Sequence, residues 1–402
     1  MKNLARYTLL LLLALALGRD FVANERPLWC SVQGRSFFPA LRDAWPGSGA
    51  RQYAGTALAE TEEKKNWAAL PPGAAIFPPI PFQPARSLGA ERGLPPGTPS
   101  ALYGGRFRHW LGTDGEGRDV AACLVSGARV AVLSGLVAMG IALSIGLLLG
   151  LVAGYFGDYG LRVARVQAVL GVLSLPVAWY CAFPARTAAL SDPGQPNALI
   201  MSLLMGAGVV AAFALAGRWL SRWGIFSKKM VLPADLLVMR LAELFSATPR
   251  LLVIVAVSAM ADRKNQSTWL MMALIGAMSW PGVARLVRAE LLKLREMDFM
   301  VAARGLGYSD WRIMLRHALP NALRAVLVAF ALGVSSAILL EASLSILGYG
   351  LKTDRSPSWG MLLQGARDNP AHWWLVLFPS LAIASVVLAL HSLVDERQGR
   401  QV

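Results

Sequence analysis

Few residues in this 402-residue chain are placed to make or break bonds. Gly333-Val334-Ser335-Ser336 with His391 suggests the nucleophile and base of an intramembrane serine protease. His391, however, falls at one end of its apolar run while Ser335 sits well inside the preceding run, so the pair does not meet. The transmembrane Asp pair of an aspartyl protease is missing too. The stretch His109-Trp110-Leu111-Gly112-Thr113-Asp114-Gly115-Glu116-Gly117-Arg118-Asp119 spaces its acids like a calcium loop, yet Arg118 occupies a position that needs an oxygen ligand. No lysine follows a glycine, so the phosphate-cradling loop G-x-x-x-x-G-K-[ST] is absent and the chain is not expected to hydrolyse ATP. Cys30, Cys123 and Cys181 stand apart, and His109, His317, His372 and His391 read as loop or interface residues, so no metal site is expected.

What remains is chemistry of binding and force. Arg288 to Asn321 is basic, amphipathic and punctuated by glycine. Strong helix formers predict a helix from Ala289 to Arg304, with Leu291, Leu292, Leu294, Met297, Met300 and Val301 near a 3.6 period. It should stop at Gly305 to Gly307, where a left-handed residue is tolerated. Ser309 or Asp310 can cap a second short helix, Trp311 to Ala318, ahead of Pro320. Two helices around a glycine turn make a knob with an apolar face and a basic rim, suited to a groove on a partner protein.

The elements that must hold this knob are membrane spans. The chain is 55% hydrophobic and 16% charged, with mean hydropathy +0.48, and several apolar runs exceed the roughly 20 residues that cross a bilayer. The net charge of +15 invites a nucleic-acid reading, but the cations gather in short loops beside apolar runs, where topology places them. No nucleic-acid partner is expected. Residues 1–23 read as a first span running through Val22, with Arg19 reaching outward, although Lys2, Arg6 and Ala14-Leu15-Ala16 also fit a signal peptide. Residues 24–119 are Pro-rich, as at Pro71-Pro72, Pro78-Pro79 and Pro95-Pro96, and lie outside the cytoplasm; they are too Pro-rich for a large core of their own, with a flexible tether as the alternative. Residues 120–157 form the second span, whose small residues Gly135, Gly140, Gly146, Gly150 and Gly154 predict a face against another helix. Residues 235–288 hold the next pair, Leu241 to Met260 and Thr268 to Leu286, with kinks expected at Pro249 and Pro281. The loop 289–320 is cytoplasmic, and 321–402 hold two last spans, Ala322 to Leu347 and Trp373 to Leu393, and a cytoplasmic tail.

Ala302-Ala303, Gly307 and Leu319-Pro320 resemble the Ala-Ala, Gly and Leu-Pro of the cytoplasmic loop of ABC importer permeases, whose coupling helix sits in a cleft of the ATPase. The chain departs at Val301, where the family often has Glu, and at His317, where it often has Ile. Gly112, Thr113, Asp114, Gly117, Arg118 and Asp119 resemble the signature before the second span of dipeptide, oligopeptide and nickel importer permeases. Ala23 to Leu41 resembles the extended periplasmic segment of the branch that includes microcin-type systems. Residues 158–234 have no counterpart in that pattern. Their apolar runs, Val163 to Phe183 and Ala198 to Leu220, are flanked by Arg162, Arg165, Arg218, Arg222, Lys228 and Lys229, with only Arg186 between, which predicts an added hairpin with both ends in the cytoplasm.

The resemblance implies an all-α polytopic protein with the type I permease fold: six family spans, plus the hairpin, in a bacterial inner membrane with both termini cytoplasmic. It implies a second, related permease, two ABC ATPases that use ATP and Mg, and an extracytoplasmic solute-binding protein, with no cofactor on this chain. The expected loop contacts are Asp298, Val301, Ala302, Ala303, Gly307, Asp310, Trp311, Leu319 and Pro320. Glu341, the acid well inside a late run, is an outer-gate candidate with Ser343, although its height along the helix favours packing at a helix end. Peptide is the expected cargo, nickel or another small solute the alternative. A proton-coupled carrier, the rival class, should show midplane acids or inverted repeats, and neither is present.

Overall fold

The structure is a computed structural model describing residues 2–32, 35–40, 67, 75–158, 160–182, 184–186, 198–223, 229–260, 268–350 and 356–399. Pro71-Pro72 and Lys228 lie outside these residues. Helix dominates because a chain in lipid must satisfy its own backbone polar groups. In order the helices are α1 (Lys2–Leu17), α2 (Arg19–Val22), α3 (Val120–Phe156), α4 (Arg165–Ala182), α5 (Ala198–Leu220), α6 (Ala234–Ala247), α7 (Arg250–Met260), α8 (Thr268–Arg295), α9 (Asp298–Gly305), α10 (Asp310–Ile313), α11 (Leu319–Ile346), α12 (Trp359–Asp368) and α13 (Trp374–Gly399). Among the described residues five helices are long and apolar enough to cross a membrane, or six if the bent pair α6–α7 is one span. Two further apolar stretches, Asn3–Leu17 and Leu204–Leu220, are shorter. The chain is a polytopic helical membrane protein.

Contacts divide the chain into two units, residues 1–144, 248–280 and 327–402, and residues 145–247 and 281–326. In the first, the core joins Val130 and Ala138 of α3, Ile254 of α7, Met271, Met272 and Ile275 of α8, and Ala337 and Leu344 of α11. Small residues bring these helices close: a β-carbon on Gly276 would lie 2.5 Å from the Ala138 carbonyl oxygen, and one on Gly135 2.7 Å from Val334. The expected continuous span through Val22 is broken. Helix α1 ends at Leu17, and Gly18 turns the chain into α2 at φ −90°, ψ 13°. Arg19 pairs with Asp20 and donates to the Ser356 hydroxyl at 2.6 Å.

The described part of 24–119 is more than a tether. Strand β1 (Trp29–Val32) lies between β2 (Arg35–Phe37) and β3 (Ala75–Ile76), and β4 (Thr98–Pro99) pairs with β5 (Arg108–His109). Phe82, Leu88 and Ala23 form a core with Ala122 and Val125 of α3.

In the second unit, the ends of the inserted hairpin meet in an antiparallel ribbon of β6 (Leu161–Ala164) and β7 (Lys229–Leu232), pairing Leu161 with Leu232 and Ala164 with Lys229. The insertion therefore leaves and re-enters the chain at one place. Glycines of α3 pack on α8: a β-carbon at Gly150 would meet the Ala284 carbonyl oxygen at 2.7 Å, and one at Gly154 would meet Leu291 at 2.8 Å. Gly140 of the same helix faces open space.

Proline acts unevenly. At Pro249 the helix is interrupted, α6 ending at Ala247 and α7 starting at Arg250, whereas α8 runs on through Pro281 as one helix. Pro281 costs α8 one intrahelical bond, whereas Pro249 precedes the first residue of α7, where no such bond is due.

Candidate functional site

Between α8 and α11 the chain forms the expected knob, with two corrections to its elements. The single helix expected over 289–304 is split, because Met297 is extended at φ −76°, ψ 145° and α9 starts afresh at Asp298. Asp298 opens the first turn of α9, where the helix dipole favours an acid. The second helix does not end at Ala318. Helix α10 passes through a π turn, Met314–Ala318, straight into α11, and the N–H of Leu319 reaches back to the Met314 carbonyl. Pro320 explains the wide turn: it cannot donate to Arg316 and its ring would clash with that carbonyl, so the helix loosens just before it.

The glycine turn follows from backbone geometry. Gly307 has φ +76°, and its N–H donates to Arg304 O at 2.9 Å while Leu306 N–H donates to Ala302 O at 3.0 Å. This closes α9 in the left-handed manner that glycine permits. The two halves of the knob face inward with Met300, Ala303, Ile313, Met314 and Ala318, all buried. They face outward with Val301 at 58%, Leu306 at 72% and Trp311 at 57% exposure. Asp298, Ala302 and Asp310 are exposed, Leu319 is half-buried, and Pro320 is exposed on the first turn of α11. An apolar face so open, edged by the exposed Arg304, Arg312 and Arg316, has the character of an interaction surface.

Residues outside the loop fix the knob, and sequence reading missed them. The Tyr155 hydroxyl, at the end of α3, donates to Asp310 Oδ1 at 2.9 Å. Arg304 lies 5.9 Å from the centre of the Tyr155 ring, and Phe156 meets Trp311 edge to face at 5.8 Å. Arg288 makes a two-pronged ion pair with Asp235 of α6, whose neighbour Leu236 donates its N–H to Asp158 at 2.9 Å.

In the first unit the Gly-Thr-Asp, Gly-Arg-Asp signature is a self-bonded turn. Asp114 Oδ1 accepts the N–H groups of Glu116 and Arg118 at 2.9 and 2.8 Å, and Asp114 Oδ2 accepts from Arg118 Nε at 2.7 Å. Gly112 and Gly117 have φ of +81° and +83°, and a β-carbon at Gly117 would lie 2.2 Å from the Leu88 carbonyl oxygen. Thr113 bonds Leu94 N and Glu91 O through its hydroxyl, and its own carbonyl accepts from Trp374 Nε1 at 3.0 Å. Asp119 caps α3 by accepting the N–H of Ala122 at 2.7 Å.

His109 is not the loop histidine its neighbours suggested. It is wholly buried, with Nδ1 2.8 Å from Asp119 Oδ2 and Nε2 2.9 Å from Glu91 Oε2, stacked 4.3 Å from the Phe82 ring. Burial alone would lower its pKa, but hydrogen bonds to Asp119 and Glu91 outweigh this and hold it above the ordinary 6.5. With a carboxylate on each nitrogen, the ring is an imidazolium donating both N–H groups. For Glu91 burial pulls upward, and donors from Leu102, His109 and Ser100 bring the pKa below the ordinary 4.5.

Glu341 is buried, accepting from Ser345 Oγ at 2.8 Å; Ser345 lies 3.3 Å from the hydroxyl of Ser358, which caps α12 at Met361 N. Among the described residues Ser343 bonds only its own helix, at Leu339 O. Helix α12 is an element the sequence reading omitted; its Trp359 Nε1 donates to the Leu124 carbonyl at 2.9 Å. Ser335 and His391 bond Ala331 O and Val387 O respectively, each on its own helix.

Residues 221–399 match the family described as "Binding-protein-dependent transport system inner membrane component". This stretch holds α6–α13 and the whole knob. Over this stretch the chain is similar to the membrane components of binding-protein-dependent importers. A putative peptide permease protein of Brucella suis is 28% identical over 292 residues, 72% of this chain and 71% of the relative. The dipeptide transport system permease protein DppC of Alkalihalophilus pseudofirmus is 28% identical over 295 residues, covering 73% and 71%. The inner membrane ABC transporter permease protein YejE of Escherichia coli is 27% identical over 394 residues, covering 96% and 88%. The match and the apolar helices make the chain a multi-pass inner-membrane protein.

Proposed function

We propose that this chain is a permease, one of two membrane subunits of an ATP-driven importer of peptides. It works with a related second permease, two ATPases that bind ATP and Mg, and an extracytoplasmic solute-binding protein. Both termini and the knob at 298–320 face the cytoplasm; residues 24–119 and α12 face the other side. The observation that carries the reading is the knob: an open apolar face of Val301, Leu306 and Trp311 on a backbone fixed by Gly307, Tyr155 and Arg288. Such a face enters a cleft of the ATPase, and closure of the ATPases pushes on it. Rigid helices then bias the path between two states of access.

Peptide is the cargo favoured by the names of the relatives, and the match across 96% of this chain reaches into 24–119. The test is uptake by proteoliposomes carrying both permeases and both ATPases, supplied with binding protein, labelled peptide and ATP. Uptake that needs ATP and is not displaced by nickel supports the reading. Nickel uptake would reassign the cargo, and uptake driven by a proton gradient without ATP would overturn the class. A cysteine at Tyr308 that crosslinks to the ATPase fixes the facing of the knob; labelling from the opposite side would reverse it.

A further inference from the structure

The inserted hairpin gathers positive charge at one end more tightly than membrane topology requires. The β6–β7 ribbon sets Ala164 opposite Lys229 and Arg162 opposite Val231. Just beyond it, Gln167 of α4 donates to the Ser221 hydroxyl at 3.2 Å, and Gly217 of α5 comes so close that its β-carbon would sit 3.2 Å from the Gln167 Cα. These contacts bring the basic residues at the start of α4, Arg162 and Arg165, to those at the end of α5, Arg218 and Arg222, and to Lys229. All five are exposed, and among the described residues no carboxylate pairs with any of them. Asp158, the acid nearest in sequence, accepts the N–H of Leu236, and Asp235 is taken by Arg288.

Orienting a hairpin needs cations near its ends, but not their convergence. Convergence without a counter-charge is repulsive, so the ribbon holds an arrangement that an anion would relieve. The surroundings say which anion. Trp219 and Trp223, one turn apart with rings 5.5 Å between centres, are both exposed beside the cations, as at a membrane interface. Above them Val172 and Leu215 present exposed apolar side chains. An anion carrying its own hydrocarbon fits both parts.

We propose that the base of the inserted hairpin is a binding site for an anionic phospholipid. Arg165, Arg218, Arg222 and Lys229 hold the headgroup phosphate, Trp219 and Trp223 sit at the glycerol level, and the acyl chains lie along α4 and α5. Which leaflet supplies the lipid rests on the topology proposed above; the site itself does not, so lipid binding and peptide uptake succeed or fail separately.

The purified complex in neutral detergent provides the test. Retained phospholipid is measured by headgroup mass spectrometry, and thermal stability is followed on adding phosphatidylglycerol, phosphatidylcholine or inorganic phosphate. The site predicts retention of anionic lipid and stabilisation by phosphatidylglycerol alone. R165Q/R218Q/R222Q/K229Q should lower retention about tenfold or more, whereas R165K/R218K/R222K should keep it. Equal effects of the two lipids, stabilisation by phosphate as strong as by lipid, or undiminished retention in the neutralised variant would each overturn the proposal. So would a lysine variant that behaves like the glutamine one. If the glutamine variant does not fold, R218Q with the wild-type lipid comparison decides.

Discussion

The phenol of Tyr155, the penultimate residue of α3, donates a 2.9 Å hydrogen bond to Asp310, the first residue of the helix that follows the glycine turn. The knob is thus tied to a span it does not adjoin in sequence. Removing only the hydroxyl, in Tyr155→Phe, keeps the ring and its contact with Arg304. A bond to a charged acceptor contributes about 1.5–3 kcal/mol, so uptake per ATP hydrolysed should fall several-fold while membrane insertion stays normal. Paired transport and ATPase assays check this; an unchanged ratio would remove the tie from the coupling path.

Gly307 sits at φ +76°, and a β-carbon there would meet nothing within 4 Å, so its constraint is conformational and not steric crowding. Gly307→Val should abolish transport, because a β-branched residue resists that dihedral. Gly307→Asn should retain much of it, since Asn visits the left-handed region at lower cost. Uptake equal in all three forms would contradict the turn.

His109 gives a pH dependence with a definite sign. Its pKa is raised in the folded state, so its contribution is complete below the ordinary 6.5 and is lost as pH rises through the raised value. That of Glu91 is lowered, so its contribution is complete above the ordinary 4.5 and is lost as pH falls through the lowered value. The 75–119 segment should therefore be most stable in the interval between 4.5 and 6.5 and weaken toward alkaline pH. His109→Ala, which leaves two buried carboxylates facing each other, should cost about 3–5 kcal/mol and erase the alkaline slope. Protease resistance of this segment across pH, in both forms, measures it.

Gly117 has no room for a side chain: a β-carbon would lie 2.2 Å from the carbonyl oxygen of Leu88, at φ +83°. Gly117→Ala should open the signature turn, expose 75–119 to proteolysis and reduce the folded yield. Gly115, where a β-carbon meets nothing within 4 Å, should accept alanine with a change within about 0.5 kcal/mol.

Glu341 bonds Ser345 from a buried position. Glu341→Gln keeps an acceptor there and should leave uptake unchanged, whereas Glu341→Ala opens a cavity and strands Ser345, costing about 2–4 kcal/mol of stability. Thermal unfolding in detergent separates the two. Loss of uptake in a normally stable Gln variant would support the outer-gate role.

Much of the fold was legible in the chain itself. Apolar runs longer than a bilayer is thick admit little besides helices, so the long helices and those of the inserted hairpin follow from composition. Gly307, Pro249 and the signature glycines act through backbone dihedrals, which depend on the residue and its neighbours alone. The break at Met297, the π turn before Pro320 and helix α12 are decided by small balances between local bonds, and no periodicity announces them. The pairings of His109 with Glu91 and Asp119, Tyr155 with Asp310, and Arg288 with Asp235 join residues 10 to 155 positions apart. Only tertiary structure could choose them, because each side chain has a plausible solvated alternative until packing withdraws the water and leaves one partner in reach.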